Sequence, residues 1–245
     1  MKNLNNKITK KVFKDDRTIV IGDVHGCFNT LKKLIRKFPK DTKLIFLGDL
    51  CNRGKYSKDV IDFVMKNNYQ CLLGNHELKL YRDLQYIMSK KESYEDFCYI
   101  TSLESDLSIK SYKNTYKVKK VIKKHLNWIE SLPLYIELKV NHKKIFLTHG
   151  FGLPYYKRRN DLSKAIALYS NRINDKTFKK DWEDFSKYRS VNIFGHCVFK
   201  EVLFGKNYIG IDTGCVHGHK LSAIDLNTFR VYSQKVDEKD LSLVE

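Results

Sequence analysis

Short apolar runs ending in glycine alternate, through the first eighty residues, with stretches of helical periodicity. Thr18-Ile19-Val20-Ile21 runs into Gly22, and after it Leu31, Leu34, Ile35 and Phe38 recur at helical spacing. Lys43-Leu44-Ile45-Phe46-Leu47 is a second such run, Val60, Ile61, Phe63 and Val64 mark a helix face, and Gln70-Cys71-Leu72-Leu73 is a third strand, with a helix predicted from Leu78. Runs apolar at every position suit strands buried on both faces, so the pattern predicts βαβ units around a parallel sheet.

From about 83 to 131 no strand signal stands out. The segment is rich in Lys, Tyr and Ser and closes on helical spacing through Val121, Ile122, Leu126 and Ile129, which predicts a helical insertion. After Pro133 the texture turns β-rich, with strands predicted at 134–138, 144–148, 192–194, 198–204, 208–211, 221–224 and 229–232, and a helix between Asp161 and Arg172. No internal repeat is visible, and Asp237 to Glu245 reads as a loose tail. At 245 residues, one domain over 1–245 is expected, burying roughly 70% of its unfolded surface.

Composition narrows the class. Hydrophobic residues at 42% and charged residues at 30% are those of an ordinary globular chain rather than a disordered one. No uncharged run approaches the roughly 18 residues of a membrane span, and Met1 to Lys7 lacks the apolar core of a secretion signal, so a cytoplasmic location without a membrane partner is expected. The six cysteines (27, 51, 71, 98, 197 and 215) contain no C-x-x-C pair, which fits buried reduced thiols. A net charge of +18 admits a nucleic-acid partner, but the 46 basic residues are 37 Lys and 9 Arg spread along the chain. Dedicated base reading favours Arg, so nucleic acid is not the favoured partner, whereas electrostatic attraction of anionic substrates is expected.

The candidate chemistry sits where strands end. Asp23 and His25 follow the first strand, Asp49 the second, and Asn75, His76 and Glu77 the third; His149 and His196 follow later ones, each group beside a glycine. The carboxyl edges of strands in open α/β sheets are where such folds place their sites. Two carboxylates, three imidazoles and an amide oxygen suit a pair of divalent ions such as Mn, Fe or Zn, with Mn first. In this reading Asp23 and His25 hold one ion, Asn75, His149 and His196 hold the other, and Asp49 bridges. Two ions about 3.5–4 Å apart would share a hydroxide able to attack phosphorus.

The blocks Gly22-Asp23-Val24-His25-Gly26, Gly48-Asp49-Leu50-Cys51-Asn52-Arg53-Gly54, Gly74-Asn75-His76-Glu77, His149-Gly150 and Gly195-His196 resemble, in order and spacing, the calcineurin-like metallophosphoesterases and within them the phosphoprotein phosphatases. The resemblance spans residues 18–232, loosely over 83–131. It implies an α/β fold, an αββα sandwich of two mixed sheets flanked by helices. It implies also a metal-dependent phosphatase cleaving phosphomonoesters of phosphorylated proteins, of the serine/threonine type. Arg53 would clamp the phosphate, and Arg172 resembles the second phosphate-binding arginine, with Arg158 and Arg159 competing for that role. His76 would protonate the leaving oxygen, and His217 lies in a loop that resembles one near the site mouth.

One departure matters. The position of Asn52 is usually an aspartate paired with the histidine matching His76. An amide oxygen there would orient the imidazole without stabilising its charged form, so good leaving groups would suffer least. The symmetrical diadenosine tetraphosphate hydrolases also lack this aspartate, and Gly26-Cys27 and Asp212-Thr213-Gly214-Cys215 resemble them. A nucleotide polyphosphate is therefore the alternative substrate, and a basic binding module that has lost catalysis is a third reading. His125 and His142 are assigned no chemistry.

Overall fold

In the first buried run, Ile19 and Ile21 pack into one apolar cluster with the helices, while Val20 packs into a second cluster lying between two sheets. Leu44 and Phe46 divide from Ile45 and Leu47 in the same way. Successive side chains on a strand point to opposite faces, so a run without polar residues demands cover on both sides.

The computed structural model describes residues 9–12, 17–89, 107–173 and 189–241. Its elements are β1 (Thr9–Val12), β2 (Thr18–Ile21), α1 (Phe28–Ile35), β3 (Lys43–Phe46), α2 (Ser57–Lys66), β4 (Gln70–Cys71), α3 (Asn75–Ser89), α4 (Leu107–Lys110), α5 (Val118–Glu130), β5 (Tyr135–Val140), β6 (Lys143–Thr148), α6 (Ala165–Ser170), β7 (Ser190–Phe194), β8 (Leu203–Phe204), β9 (Tyr208–Gly210), β10 (Lys220–Asp225) and β11 (Val231–Lys235). One sheet has the order β11-β10-β2-β3-β4 and the other β1-β5-β6-β7-β9-β8. Strands β2, β3 and β4 run parallel, as do β6, β7 and β9; β10 pairs antiparallel with both β2 and β11, β8 antiparallel with β9, and β5 antiparallel with β6 but parallel with β1. The expected α/β sandwich of two mixed sheets flanked by helices is the fold.

Several boundaries differ from the sequence pattern. Strand β1 carries no apolar signal and was not predicted; it pairs with β5 through the backbone, in register from Thr9 opposite Ile136. The predicted strand 198–204 reduces to Leu203–Phe204, because Val198 is drawn to the site cavity and Phe199 packs beside Phe194. Phe229 takes a left-handed turn, φ 58°, so the last strand starts at Val231. The helix predicted over 161–172 is reduced to α6; Asn171 takes extended backbone after it, and Arg172 lies beyond the helix end.

The segment assigned to an insertion begins inside α3, and residues 90–106 lie outside the described residues. Its helices share the main core: Ile109, Tyr112, Val118, Ile122 and Ile129 cluster with Leu31, Val60 and Leu84. His125 is buried there, its Nδ1 2.7 Å from the Tyr112 hydroxyl and its Nε2 2.9 Å from Asp62. Five of the cysteines are free and buried; Cys98 is outside the described residues. No helix among the described residues is long and apolar enough to cross a membrane.

The loose tail expected over 237–245 is corrected for residues 237–241, which are anchored, while 242–245 lie outside the described residues. Asp240 is fully buried and accepts hydrogen bonds from the backbone N–H groups of Asn29 (2.9 Å) and Thr30 (2.8 Å), the Asn29 amide and the Thr30 hydroxyl. Those backbone donors are orphans of the first turn of α1, which has no side-chain cap of its own from Cys27. The cap comes from the far end of the chain, so residues 237–241 are tied to the helix that begins at the site.

Candidate active site

The parallel strands of both sheets deliver their carboxyl ends to one side of the sandwich, and the loops leaving them carry the chemistry. Five residues on those loops, His25, Asp49, Asn52, Arg53 and His196, adopt left-handed backbone with φ between 47° and 77°. Such a conformation costs a residue with a Cβ ~1–2 kcal/mol, and surrounding structure must enforce it. Glu77 does part of that work: its carboxylate, fully buried at the start of α3, accepts from the backbone N–H groups of Asp49 (2.8 Å), Leu50 (2.7 Å) and Gly74 (3.0 Å).

Asp49 is the focus. Its Oδ2 lies 3.6 Å from His25 Nε2, 3.2 Å from His149 Nε2 and 3.9 Å from His76 Nε2, while its Oδ1 accepts from the His76 backbone N–H. Burial opposes charge on this carboxyl, but His149, His25 and His76 around it hold it well below the usual carboxylate range. His25, Asp49 and His76 bring one ligand atom each within 4.8 Å of one another, and so do Asp49, His149 and His196. Asn75 joins the second group, with Oδ1 3.1 Å from His149 Nε2.

The donor set fits cations. His25 Nδ1 donates to the Cys51 carbonyl (2.8 Å) and His149 Nδ1 to the Leu47 carbonyl (3.0 Å), so in the neutral rings both Nε2 atoms turn lone pairs inward. At His149 that lone pair faces two oxygens, an arrangement a positive charge must relieve. Asp23 accepts from the His196 backbone N–H through Oδ2 (3.0 Å), and its buried Oδ1 has no hydrogen-bond partner. Burial, with Asp212 and Asp49 nearby, pushes the Asp23 carboxyl well above its usual range. Burial lowers His25 to about 4, and burial with the facing His149 and Arg172 lowers His196 to about 4. His149 moves up, because Asp49 and Glu77 outweigh its desolvation.

Glycine makes this crowding feasible at two points. A Cβ on Gly195 would collide with Asp23 Oδ1, and one on Gly74 with Asp49 Oδ1.

Above the cluster is a cavity of about 220 Å³ whose lining includes Asp23, Asp49, His76, Arg53, Arg172 and His217. Arg53 is exposed, and its guanidinium donates to His217 Nε2 at 3.1 Å. The competing arginines are occupied elsewhere: Arg158 pairs with Asp161, and Arg159 pairs with Glu137 and lies over the Tyr156 ring.

The expected contact between an Asn52 amide oxygen and His76 is reversed. Asn52 Nδ2 lies 3.0 Å from His76 Nδ1, while Asn52 Oδ1 accepts from the Ser108 hydroxyl at 2.6 Å. Sequence reading also left Glu77, Ser108 and Asp212 without roles. Asp212 is buried, lines the cavity and follows an apolar strand as Asp23 does, so the same signal could have found it. Ser108, in a segment without pattern, offered none.

A family model described as calcineurin-like phosphoesterase matches residues 16–189. The chain belongs to that family. This calcineurin-like phosphoesterase is 28% identical over 226 residues to an asymmetrical bis(5′-nucleosyl)-tetraphosphatase, PrpE, of Anoxybacillus flavithermus, with 84% of this chain and 88% of the relative covered. A protein of the same name from Bacillus cereus is 28% identical over 227 residues, with the same coverage. Among solved structures, a protein assigned as a diadenosine tetraphosphatase superposes with TM-score 0.65 at 19% identity, covering 94% of this chain and 99% of that one. A serine/threonine phosphatase of Saccharomyces cerevisiae superposes with TM-score 0.57 at 17% identity, covering 94% and 84%. At those identities the superpositions speak to the fold. As a calcineurin-like phosphoesterase the chain is a metal-dependent hydrolase of phosphoric ester bonds.

Proposed function

We propose that this phosphoesterase cleaves phosphoanhydrides of dinucleoside polyphosphates, with diadenosine tetraphosphate as the type substrate. The observation that carries the reading is the Asn52–His76 pair: an amide N–H, not a carboxylate, backs the imidazole at 3.0 Å. A backing carboxylate lets a histidine carry and release a full proton, which an alkoxide leaving group demands; a nucleotide phosphate departs as a stable anion and asks only for a hydrogen bond. The names of the relatives support the same substrate class.

Asp23, His25 and Asp49 would hold one divalent cation, and Asp49, Asn75, His149 and His196 the other. Mn is the proposed ion, with Fe and Zn as alternatives for this oxygen and nitrogen set. When bound, the pair supplies Lewis acidity and water acidic near neutral pH. Arg53, braced by His217, and Arg172 across the cavity would grip the equatorial oxygens of the phosphoryl group, where negative charge spreads during transfer. His76 would donate through Nε2–H to the oxygen that leaves.

Parallel assays with Mn and diadenosine tetraphosphate, p-nitrophenyl phosphate and a phosphoserine peptide test the reading. Preferred turnover of the dinucleotide is expected, with products ADP alone for symmetrical cleavage or AMP and ATP for the asymmetrical mode. Preferred turnover of the phosphopeptide would replace it with the serine/threonine phosphatase reading.

A further inference from the structure

Asn52 is held from three sides. Its backbone N–H donates to Ser108 Oγ (2.7 Å) and to Ser57 Oγ (3.1 Å), and its Oδ1 accepts from the Ser108 hydroxyl at 2.6 Å. The two serine oxygens are 2.9 Å apart, and Asn52, Ser57 and Ser108 are all buried. A separation of 2.6 Å belongs to an O–H···O bond and is short for an amide N–H···O. With Ser108 Oγ already receiving a backbone N–H, its single proton satisfies Oδ1, and the Nδ2 end of the amide is left to face His76.

We infer that Ser108 is a positioning residue that fixes the polarity of the Asn52–His76 hydrogen bond and thereby which leaving groups the site serves. An N–H from Asn52 makes His76 Nδ1 the acceptor, so the ring proton sits on Nε2, the atom 3.9 Å from Asp49 Oδ2 at the cavity. A proton on Nδ1 would set two N–H groups against each other at 3.0 Å. The leaving-group half of this inference rests on the proposed function; the tautomer half rests on geometry alone. In the reaction, water oxygen forms the new bond to phosphorus and its proton passes to solvent, the old P–O bond breaks with its electron pair on the leaving phosphate, and His76 stabilises that oxygen by hydrogen bonding without giving up its own proton.

Nitrogen NMR on ¹⁵N-histidine-labelled, metal-free protein, above the ordinary titration range of imidazole, reads the tautomer directly. The proton is expected on Nε2 of His76 in the wild type and in Ser108→Thr, which keeps the hydroxyl. In Ser108→Ala the amide is free to turn, and a population with the proton on Nδ1 is expected. With Mn, kcat for diadenosine tetraphosphate should fall about tenfold in Ser108→Ala and by less than about twofold in Ser108→Thr, with KM unchanged. A wild-type His76 protonated on Nδ1 overturns the inference whether or not any variant folds, as does a Ser108→Ala spectrum identical to wild type. Should Ser108→Ala not fold, Ser108→Cys, with its weak donor, replaces it. If the tautomers behave as expected but the wild type ignores dinucleotides, the functional reading fails and the positioning role stands.

Discussion

Gly195 and Asp23 interlock: the space that a Cβ at residue 195 would fill is taken by Asp23 Oδ1, the buried oxygen without a hydrogen-bond partner. The strand ends of the two sheets approach this closely only because one of them carries no side chain. Gly195→Ala must displace the carboxylate or the loop bearing His196. A fall in Mn affinity of about 10–100-fold is expected, read by titration calorimetry on folded protein. Unchanged affinity would remove Asp23 from the ligand set.

Asn52→Asp supplies an acceptor where the amide presents an N–H. The Ser108 hydroxyl can still donate to one carboxylate oxygen, and the other can take a proton-bearing Nδ1 of His76. Turnover of substrates with poor leaving groups, such as a phosphoserine peptide, should rise more than that of p-nitrophenyl phosphate. Equal effects on both would contradict the account given of this position.

His25 sits at about 4 because burial disfavours its charged form. The unfolded chain therefore binds more protons than the native one between about pH 4 and the ordinary imidazole value near 6.5. Stability of the metal-free protein from this group is fully present above about pH 6.5 and is lost as pH falls toward 4, by about 3 kcal/mol in all. Urea melts at steps of pH should show a shallower acid decline for His25→Gln than for the wild type; parallel profiles would count against this.

Asp240→Ala leaves the first-turn donors of α1 and the Thr30 hydroxyl without their acceptor. A loss of about 1–3 kcal/mol is expected from a buried network of this kind, seen as a lowered denaturation midpoint. A loose tail would give no change.

His217→Ala removes the brace on Arg53 without touching the proposed ligands. For an exposed hydrogen bond, KM should rise about three- to tenfold with kcat nearly constant. A fall in kcat alone would assign His217 a different task.

Much of the architecture could be read from residue order. Apolar runs such as Ile19-Val20-Ile21 and Leu44-Ile45-Phe46-Leu47 had to be strands covered on both faces, and polar residues after them had to gather at one sheet edge. Strand β1 was missed because its sheet membership rests on backbone hydrogen bonds that leave no apolar signature. The tail was misread because a capping aspartate 210 residues from Thr30 looks, in sequence, like any surface acid.

The sequence by itself determined the layers of the sandwich and the side chains fit to hold cations, since periodicity and donor chemistry are properties of residue types in order. Tertiary structure alone decided the polarity of the Asn52–His76 bond, the left-handed backbone at His25, Asp49 and His196, and the remote cap from Asp240. Each of these is a choice between local states close in energy, and only contacts from distant segments, here Ser108, Glu77 and the C-terminal turn, tip the balance.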